Sequence, residues 1–447
     1  MERQVLFITC LFACTGGIFL SMKKPKLFSI VKHRKRELTK DQILKDVIAG
    51  IIVAIIALPL SIALGISSGV TPEKGLITAI IAGFFVSLLG GSRVQIGGPT
   101  GAFVVIVYGI VDKYGLEGLI ISTLMAGIML ILFGLFRLGN LIKYIPKSIT
   151  LGFTLGIAIT LLSTQVKDLF GLNIASVPSE FFKKWGTYIS NFNSINFVTL
   201  LIGVACVLII VYFPKINKTI PGSLIALIVS TLIVAGLSLN VQTIGGAFGE
   251  ISSAIPSPQL PSLTIDKIKV LFMPAVTIAF LGAIESLLSA VVADGMIDKK
   301  HNSNTELIGQ GIANIASSLF GGIPATGAIA RTAANIKNGG RTPIAGIVHA
   351  ITLFLIMIIF MPFIKYIPLV ALAAILVVVS YNMSEWRECV KIVKNDKLDA
   401  LELLITFGMT VCFNLVIAIF TAMVIHLVRV KLTNRDRDIN NNAEVAC

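Results

Sequence analysis

The chain has 447 residues, of which 55% are hydrophobic and only 13% charged, with a net charge of +14. A soluble domain carries about 25% charge, so this composition excludes an ordinary soluble enzyme. Apolar runs of about twenty residues recur between Asp46 and Arg429, which is the pattern of a polytopic α-helical membrane protein. A β-barrel would show alternating ten-residue segments instead. The basic excess does not indicate nucleic acid. Lys23, Lys24, Lys26, Lys32, Arg34, Lys35 and Arg36 precede the span that starts at Asp46, and Arg429, Lys431, Arg435 and Arg437 follow the last. Basic flanks mark the cytoplasmic face, so both termini are expected inside an inner (plasma) membrane and the number of spans is even.

Residues 1–45 read as a basic cytoplasmic segment. Its residues 5–20 are apolar but short, and the main basic block follows them, an order that fits a cleaved signal poorly. Translation is expected to begin at Met22, with residues 1–21 a mis-assigned start or an extra apolar segment. Residues 46–431 form the membrane domain. Its first half (about 46–237) predicts spans at 46–66, 74–90, 96–111, 117–137, 145–166, 196–213 and 220–237. Its second half (about 270–431) predicts spans at 270–293, 305–320, 325–338, 341–361, 366–382, 398–413 and 415–431. Arg137, Lys143, Lys147, Lys215, Lys218, Lys299, Lys300, Lys394 and Lys397 all fall on the cytoplasmic side of this scheme. About fourteen spans divide as seven plus seven. Seven is odd, so successive halves insert in opposite senses, which predicts an inverted-topology repeat. Within 384–397, Trp386, Cys389, Val390 and Val393 share one helical face, opposite Arg387, Lys391 and Lys394. That is an amphipathic helix on the inner leaflet. Residues 432–447 read as a short disordered tail.

The six cysteines show no metal-ligand spacing and imply no disulfide framework. Cys206 and Cys412 sit in apolar spans as small hydrophobes. No enzyme signature is present: there is no nucleophile elbow, zinc-protease motif or P-loop. The chain is therefore read as no enzyme, and no cofactor is implied.

One motif occurs twice. Residues 97–102 read Gly-Gly-Pro-Thr-Gly-Ala and residues 321–328 read Gly-Gly-Ile-Pro-Ala-Thr-Gly-Ala. Glycine and proline interrupt a helix, so extended backbone is expected there in mid-membrane. Such backbone is tolerated only where it is buried in protein or lines a watery cavity. Half-helices are expected to start near Thr100 and near Ala325 or Thr326. Their first amides lack internal partners and carry the positive end of the helix dipole. Inverted symmetry would make the two tips face each other as an anion site. The candidate site residues are Thr100, Gly101, Ala102 and Phe103 on one tip. On the other they are Thr326, Gly327, Ala328, Ile329, Ala330 and Arg331. Close helix packing through small residues is the competing explanation. Arg331 would attract the anion; pairing with Glu285 or snorkelling is its alternative.

Glu285 lies within an apolar stretch and costs about 2.5–3.5 kcal/mol at mid-span. Its expected task is cation coupling, as a proton acceptor or in a Na+ site with Ser289 one turn on. A neutral hydrogen-bonded structural acid is its alternative. Asp294 and Arg93 read as boundary charges, and His349 as a satisfied core histidine.

These motifs, GGSRVQIGGPTGAFVV at 90–105, AFLGAIESLLSAVVADGM at 279–296 and FGGIPATGAIARTAANI at 320–336, resemble those of the sulfate permease (SulP) family of anion transporters. The resemblance covers about residues 40–431. It implies the uracil-permease-type fold with core and gate domains, a substrate held between the third and tenth spans, and sulfate, bicarbonate, chloride or dicarboxylates as cargo. Glu285 matches the position linked to cation coupling in prokaryotic members, where glutamate tilts the expectation toward protons. Two departures stand out. Leu60 follows Pro59 where many members have glutamine, and the STAS domain that follows the last span in most members is missing from this sequence. The expected function is secondary active, H+- or Na+-coupled symport of a small anion by alternating access. An anion channel or exchanger, a nucleobase permease and a non-transporting scaffold are the alternatives. The lipid bilayer and a homodimer are the expected associations, with no nucleic acid.

Overall fold

The computed structural model describes residues 24–32, 38–139, 146–217, 220–252, 256–412 and six positions between 418 and 426. Residues 1–21, the tail at 432–447, Lys143, Lys218 and most of the expected span 415–431 lie outside the described residues. In chain order the elements are α1 (Lys26–Lys32), α2 (Lys40–Ser67), α3 (Pro72–Leu89), β1 (Gly97–Gly98), α4 (Gly101–Leu135), α5 (Lys147–Thr164), α6 (Val166–Phe170) and α7 (Phe181–Ser190). There follow α8 (Phe197–Ile216), α9 (Gly222–Gly236), α10 (Ile244–Phe248), α11 (Ile265–Ile297), α12 (Ser303–Leu319) and β2 (Thr326–Gly327). After these come α13 (Ile329–Lys337), α14 (Ile344–Ile364), α15 (Leu369–Met383), α16 (Trp386–Asn395) and α17 (Lys397–Cys412). Among the described residues, eight helices are long and apolar enough to cross a membrane.

The helices start and stop where the chain dictates. Thr39 caps α2 by accepting the Gln42 amide at 3.2 Å, with Asp41 in the first turn. The expected spans 96–111 and 117–137 appear as one helix, α4, kinked where Gly115 takes φ 67°. Only glycine enters that backbone region at no steric cost. The amphipathic segment forms α16. Its Cys389 is buried, while Trp386, Val390 and Val393 stay exposed, and Lys147 holds Glu388 at 2.9 Å.

Packing sorts the helices into two groups that each draw on both halves of the chain. One group contains α2, α3 and α4 from the first half with α11, α12, α13 and α14 from the second. The other contains α5, α8 and α9 with α15 and α17. The groups meet where α15 and α9 lie on α2 and where α5 lies on α4. Each half therefore donates a long helix, a helix, a two-residue strand and a helix to the first group, and the second half adds α14.

Within the first group α4 and α12 approach backbone to backbone. A Cβ added to Gly127 would stand 2.7 Å from the Gly311 carbonyl oxygen, and one added to Gly311 would stand 2.5 Å from that of Gly127. Small residues permit this approach, and dispersion rather than water exclusion holds helices together in lipid. Gly127→Val is expected to destabilise the fold by about 1–3 kcal/mol or more through overpacking. A lower melting temperature in detergent checks this; an unchanged one would show that the α4–α12 seam can open.

Candidate functional site

The two glycine–proline breaks meet. β1 and β2 pair antiparallel, with Gly97 opposite Gly327 and Gly98 opposite Thr326. The pairing continues past the strands. The Ala328 amide donates to the Ile96 carbonyl at 2.9 Å, and the Ile96 amide donates to Thr332 Oγ1 at 3.1 Å. Backbone that cannot be helical is thereby satisfied inside the protein, as lipid requires.

Pairing also moves the second tip. The first helix starts at Gly101 with Thr100 as its N-cap, as expected. The second starts at Ile329 with Ala328 as N-cap, three residues beyond Thr326. Thr326 and Gly327 are strand residues, and Ala328 spends its amide on Ile96, so these three do not belong to the helix head. Thr100 and Thr326 are consequently not equivalent. The Thr326 hydroxyl donates to the Gly282 carbonyl at 3.0 Å, holding α11 against β2. The amides at the second tip are those of Ile329, Ala330 and Arg331, and the first two residues are exposed. On the first tip, Gly101, Ala102 and Phe103 are buried. The Phe103 amide turns back to the Thr100 carbonyl at 3.3 Å, and its ring packs towards Gly282 of α11.

Glu285 of α11 reaches the first tip. Its Oε2 accepts a hydrogen bond from Thr100 Oγ1 at 2.8 Å, and the residue is partly exposed. Ser289 does not join it. That hydroxyl is fully buried and donates to Thr332 Oγ1 at 3.4 Å, tying α11 to α13. No cluster of three or more His, Cys, Asp or Glu residues suited to a metal ion occurs among the described residues.

Arg331 stands in the first turn of α13 and is 1% exposed. One guanidinium nitrogen, Nη2, donates to the Pro99 carbonyl of the opposite break. Nε and Nη1 have no hydrogen-bond partner among the described residues, and no carboxylate lies within ion-pair distance of it there, so it does not pair with Glu285. A buried cation without a counter-ion is costly, and here it places positive charge behind both tips. His349 of α14 is equally buried. Neither of its ring nitrogens has a partner among the described residues, so it is not the satisfied histidine expected.

A brace not anticipated from the motifs holds both breaks. On α12, Glu306, Gln310, Asn314 and Ser317 follow one another at helical spacing, and all are buried. Glu306 accepts the Gly91 and Ser92 amides at 2.8 and 2.9 Å, just before β1. Asn314 accepts the Ala325 amide and donates to the Ala325 carbonyl, both at 2.8 Å, just before β2. Thr78 Oγ1 accepts the Ile323 amide at 2.7 Å, and Gln95 Nε2 donates to Ser286 Oγ at 3.0 Å. The polar stripe on α12 was the readable signal, since a solvent-free helix carries such residues only where they have partners.

The family comparisons agree with this geometry. The model of the sulfate permease family matches residues 43–406. The chain belongs to the sulfate permease family. It is 46% identical to YvdB of Bacillus subtilis (strain 168), named a candidate sulfate transporter, over 86% of this chain and 73% of that one. It is 33% identical to the bicarbonate transporter BicA of Picosynechococcus sp., over 70% of this chain and 57% of that one. The solved transmembrane domain of a cyanobacterial BicA superposes with a TM-score of 0.77 at 31% identity, covering 86% of this chain and 98% of that one. Murine Slc26a9, an anion transporter solved facing inward, shares the fold alone, with a TM-score of 0.81 at 17% identity over 91% of this chain and 71% of that one. The chain is thus a transmembrane anion transporter and not an enzyme.

Asn314→Leu keeps volume but leaves the Ala325 amide and carbonyl buried and unpaired, at about 1–3 kcal/mol each. The variant is expected to melt well below wild type and to lose anion-induced stabilisation. Wild-type melting with wild-type anion response would show that β2 needs no brace.

Proposed function

We propose that this chain is a secondary active importer of a small oxyanion, of the sulfate, bicarbonate or dicarboxylate class, coupled to entry of H+ or Na+. The carrying observation is the Thr100–Glu285 hydrogen bond, which puts a carboxylate at the very tip that would hold the anion. The amides of Gly101 and Ala102 on one side, and of Ile329, Ala330 and Arg331 on the other, supply donors at the positive ends of two dipoles. Buried Arg331 adds a full charge behind them.

Coupling follows from charge. An ionised Glu285 opposes an anion at the adjacent tip. A proton or Na+ on the carboxylate cancels that repulsion, and the bound anion in turn favours the cation, because such a linkage is reciprocal. The doubly occupied site is the one that crosses. The group holding the tips (α2–α4 with α11–α14) then acts as core and moves against the α5, α8, α9, α15 and α17 group as gate, giving alternating access. The shared order of long helix, helix, two-residue strand and helix in the two halves, and the antiparallel pairing of the two strands, support fourteen spans in a seven-plus-seven inverted repeat. The basic flanks support cytoplasmic termini in the inner membrane.

Reconstituted protein is expected to accumulate labelled anion against its gradient only under the coupling cation gradient. Glu285→Gln, which keeps an acceptor for Thr100, is expected to bind anion but lose gradient-driven accumulation by about tenfold or more. Accumulation that still follows the gradient in this variant overturns the role of Glu285. Flux without accumulation in the wild type overturns active transport in favour of a channel.

Arg331→Gln is expected to raise the KM for the anion by about tenfold, the scale of one charge-assisted hydrogen bond. An unchanged KM would remove Arg331 from the anion site.

A further inference from the structure

A second cationic site lies away from the tips, at the end of α2 remote from the basic N-terminal segment. A cavity of about 280 Å3 opens there between the two helix groups. Ser67 at the end of α2 and Tyr108 on α4 form one wall; Lys167 and Asp168 on α6, Lys184 on α7 and Gln242 form the other. Tyr108 is eight residues from Thr100 along α4, about 12 Å at helical rise. The cavity therefore stands about two turns along the body of α4 from the first tip.

Lys184 is the unusual member. It is only 4% exposed, and lysine is almost never so buried without a partner. No carboxylate lies within ion-pair distance of Lys184 or Lys167 among the described residues. The ammonium of Lys184 instead lies over the Tyr108 ring, 5.7 Å from its centroid. It also borders a second cavity of about 310 Å3. The polar groups around it are fixed elsewhere. The Tyr108 hydroxyl donates to the Val177 carbonyl at 2.6 Å, and that of Tyr188 to the Ser163 carbonyl at 3.0 Å. Neighbouring Lys183 is bound to Glu180 at 2.9 Å. Two lysines against one aspartate leave the cavity with net positive charge, and its volume is ample for an oxyanion with some of its water.

We propose that Lys184, assisted by Lys167, forms an outer oxyanion-binding vestibule that captures a sulfate- or bicarbonate-class ion from the medium ahead of the half-helix tips. Tyr108 holds the ammonium by a cation–π contact and gives it up to the stronger, charge-assisted bond when the anion arrives. Burial lowers the Lys184 pKa from its ordinary value to about 8. The group is charged below that pH and neutral above it. The facing groups are Lys167, Asp168, Tyr108 and Tyr188, with Glu180 bordering the second cavity. Capture is therefore present below about pH 8 and fades as the pH rises through it.

The direct test is carbamylation of the purified full-length protein by potassium cyanate, whose conjugate acid, isocyanic acid, adds to a neutral amine to give the carbamoyl-lysine, read residue by residue by mass spectrometry. Saturating sodium sulfate or sodium bicarbonate is expected to slow labelling of Lys184 by about threefold or more relative to sodium gluconate at equal ionic strength, as occupancy of a site dictates. Exposed Lys183 serves as the internal control and is expected not to change. Protection is expected to persist in Arg331→Gln, which separates this vestibule from the tip site, and it needs no transport to be seen. Equal labelling in all three salts, or protection that disappears in Arg331→Gln, overturns the proposal. In uptake, Lys184→Gln is expected to raise KM about tenfold with kcat unchanged, while Lys184→Arg keeps the wild-type KM and removes its rise above about pH 8. A wild-type KM in Lys184→Gln overturns the proposal, and should that variant fail to fold, the protection measurement on wild type decides alone.

Discussion

Unpaired peptide groups cannot persist in hydrocarbon, and this single constraint organises the molecule. Two stretches of the chain leave the helix in the middle of an apolar domain so that two helices can begin there. Each stretch then needs partners for its amides and carbonyls. Pairing the stretches with one another meets part of that need, and side chains including Glu306, Asn314, Thr78 and Thr332 meet more of it. The tips are therefore fixed by the hydrogen bonds that make the breaks tolerable. Displacing one break would expose the other.

The electrostatics of the site follow from the same arrangement. Helix heads carry partial positive charge, and Arg331 adds a whole one whose hydrogen-bond partner among the described residues is the Pro99 carbonyl. That positive charge is what the proposed anion site uses, and a carboxylate at Glu285 touches one head through Thr100. Under the proposed function, opposite charges held this close make occupancy of either by its ligand favour the other, which is the physical content of symport.

Much of this was legible in the chain. Span positions, the paired breaks and the buried acid follow from hydropathy, glycine–proline interruption and the cost of charge in lipid. The expected segments from 46 to 413 each overlap a helix. The position of the second tip was not legible. The Pro-Ala-Thr-Gly string of 324–327 promised a helix start, but strand pairing with a segment some 230 residues away keeps the chain extended to Gly327, and nothing local encodes that partner. Ser289 was misread for a similar reason. Helical spacing placed it beside Glu285, while its actual acceptor, Thr332, comes from another element. Lys184 drew no notice because a lysine in a polar connection is ordinary; only its burial makes it otherwise.

The exchange of elements between halves bears on how the protein is made. When the ribosome has delivered the first break, its partner around Gly327 is still unsynthesised, as are α11 and α12, which flank it. Non-local pairing of this kind delays folding. The nascent first half must keep its broken span out of lipid until the second half arrives, either inside the insertion machinery or at the watery interface. Conditions that slow synthesis of the second half would then strand an intermediate exposed to proteolysis.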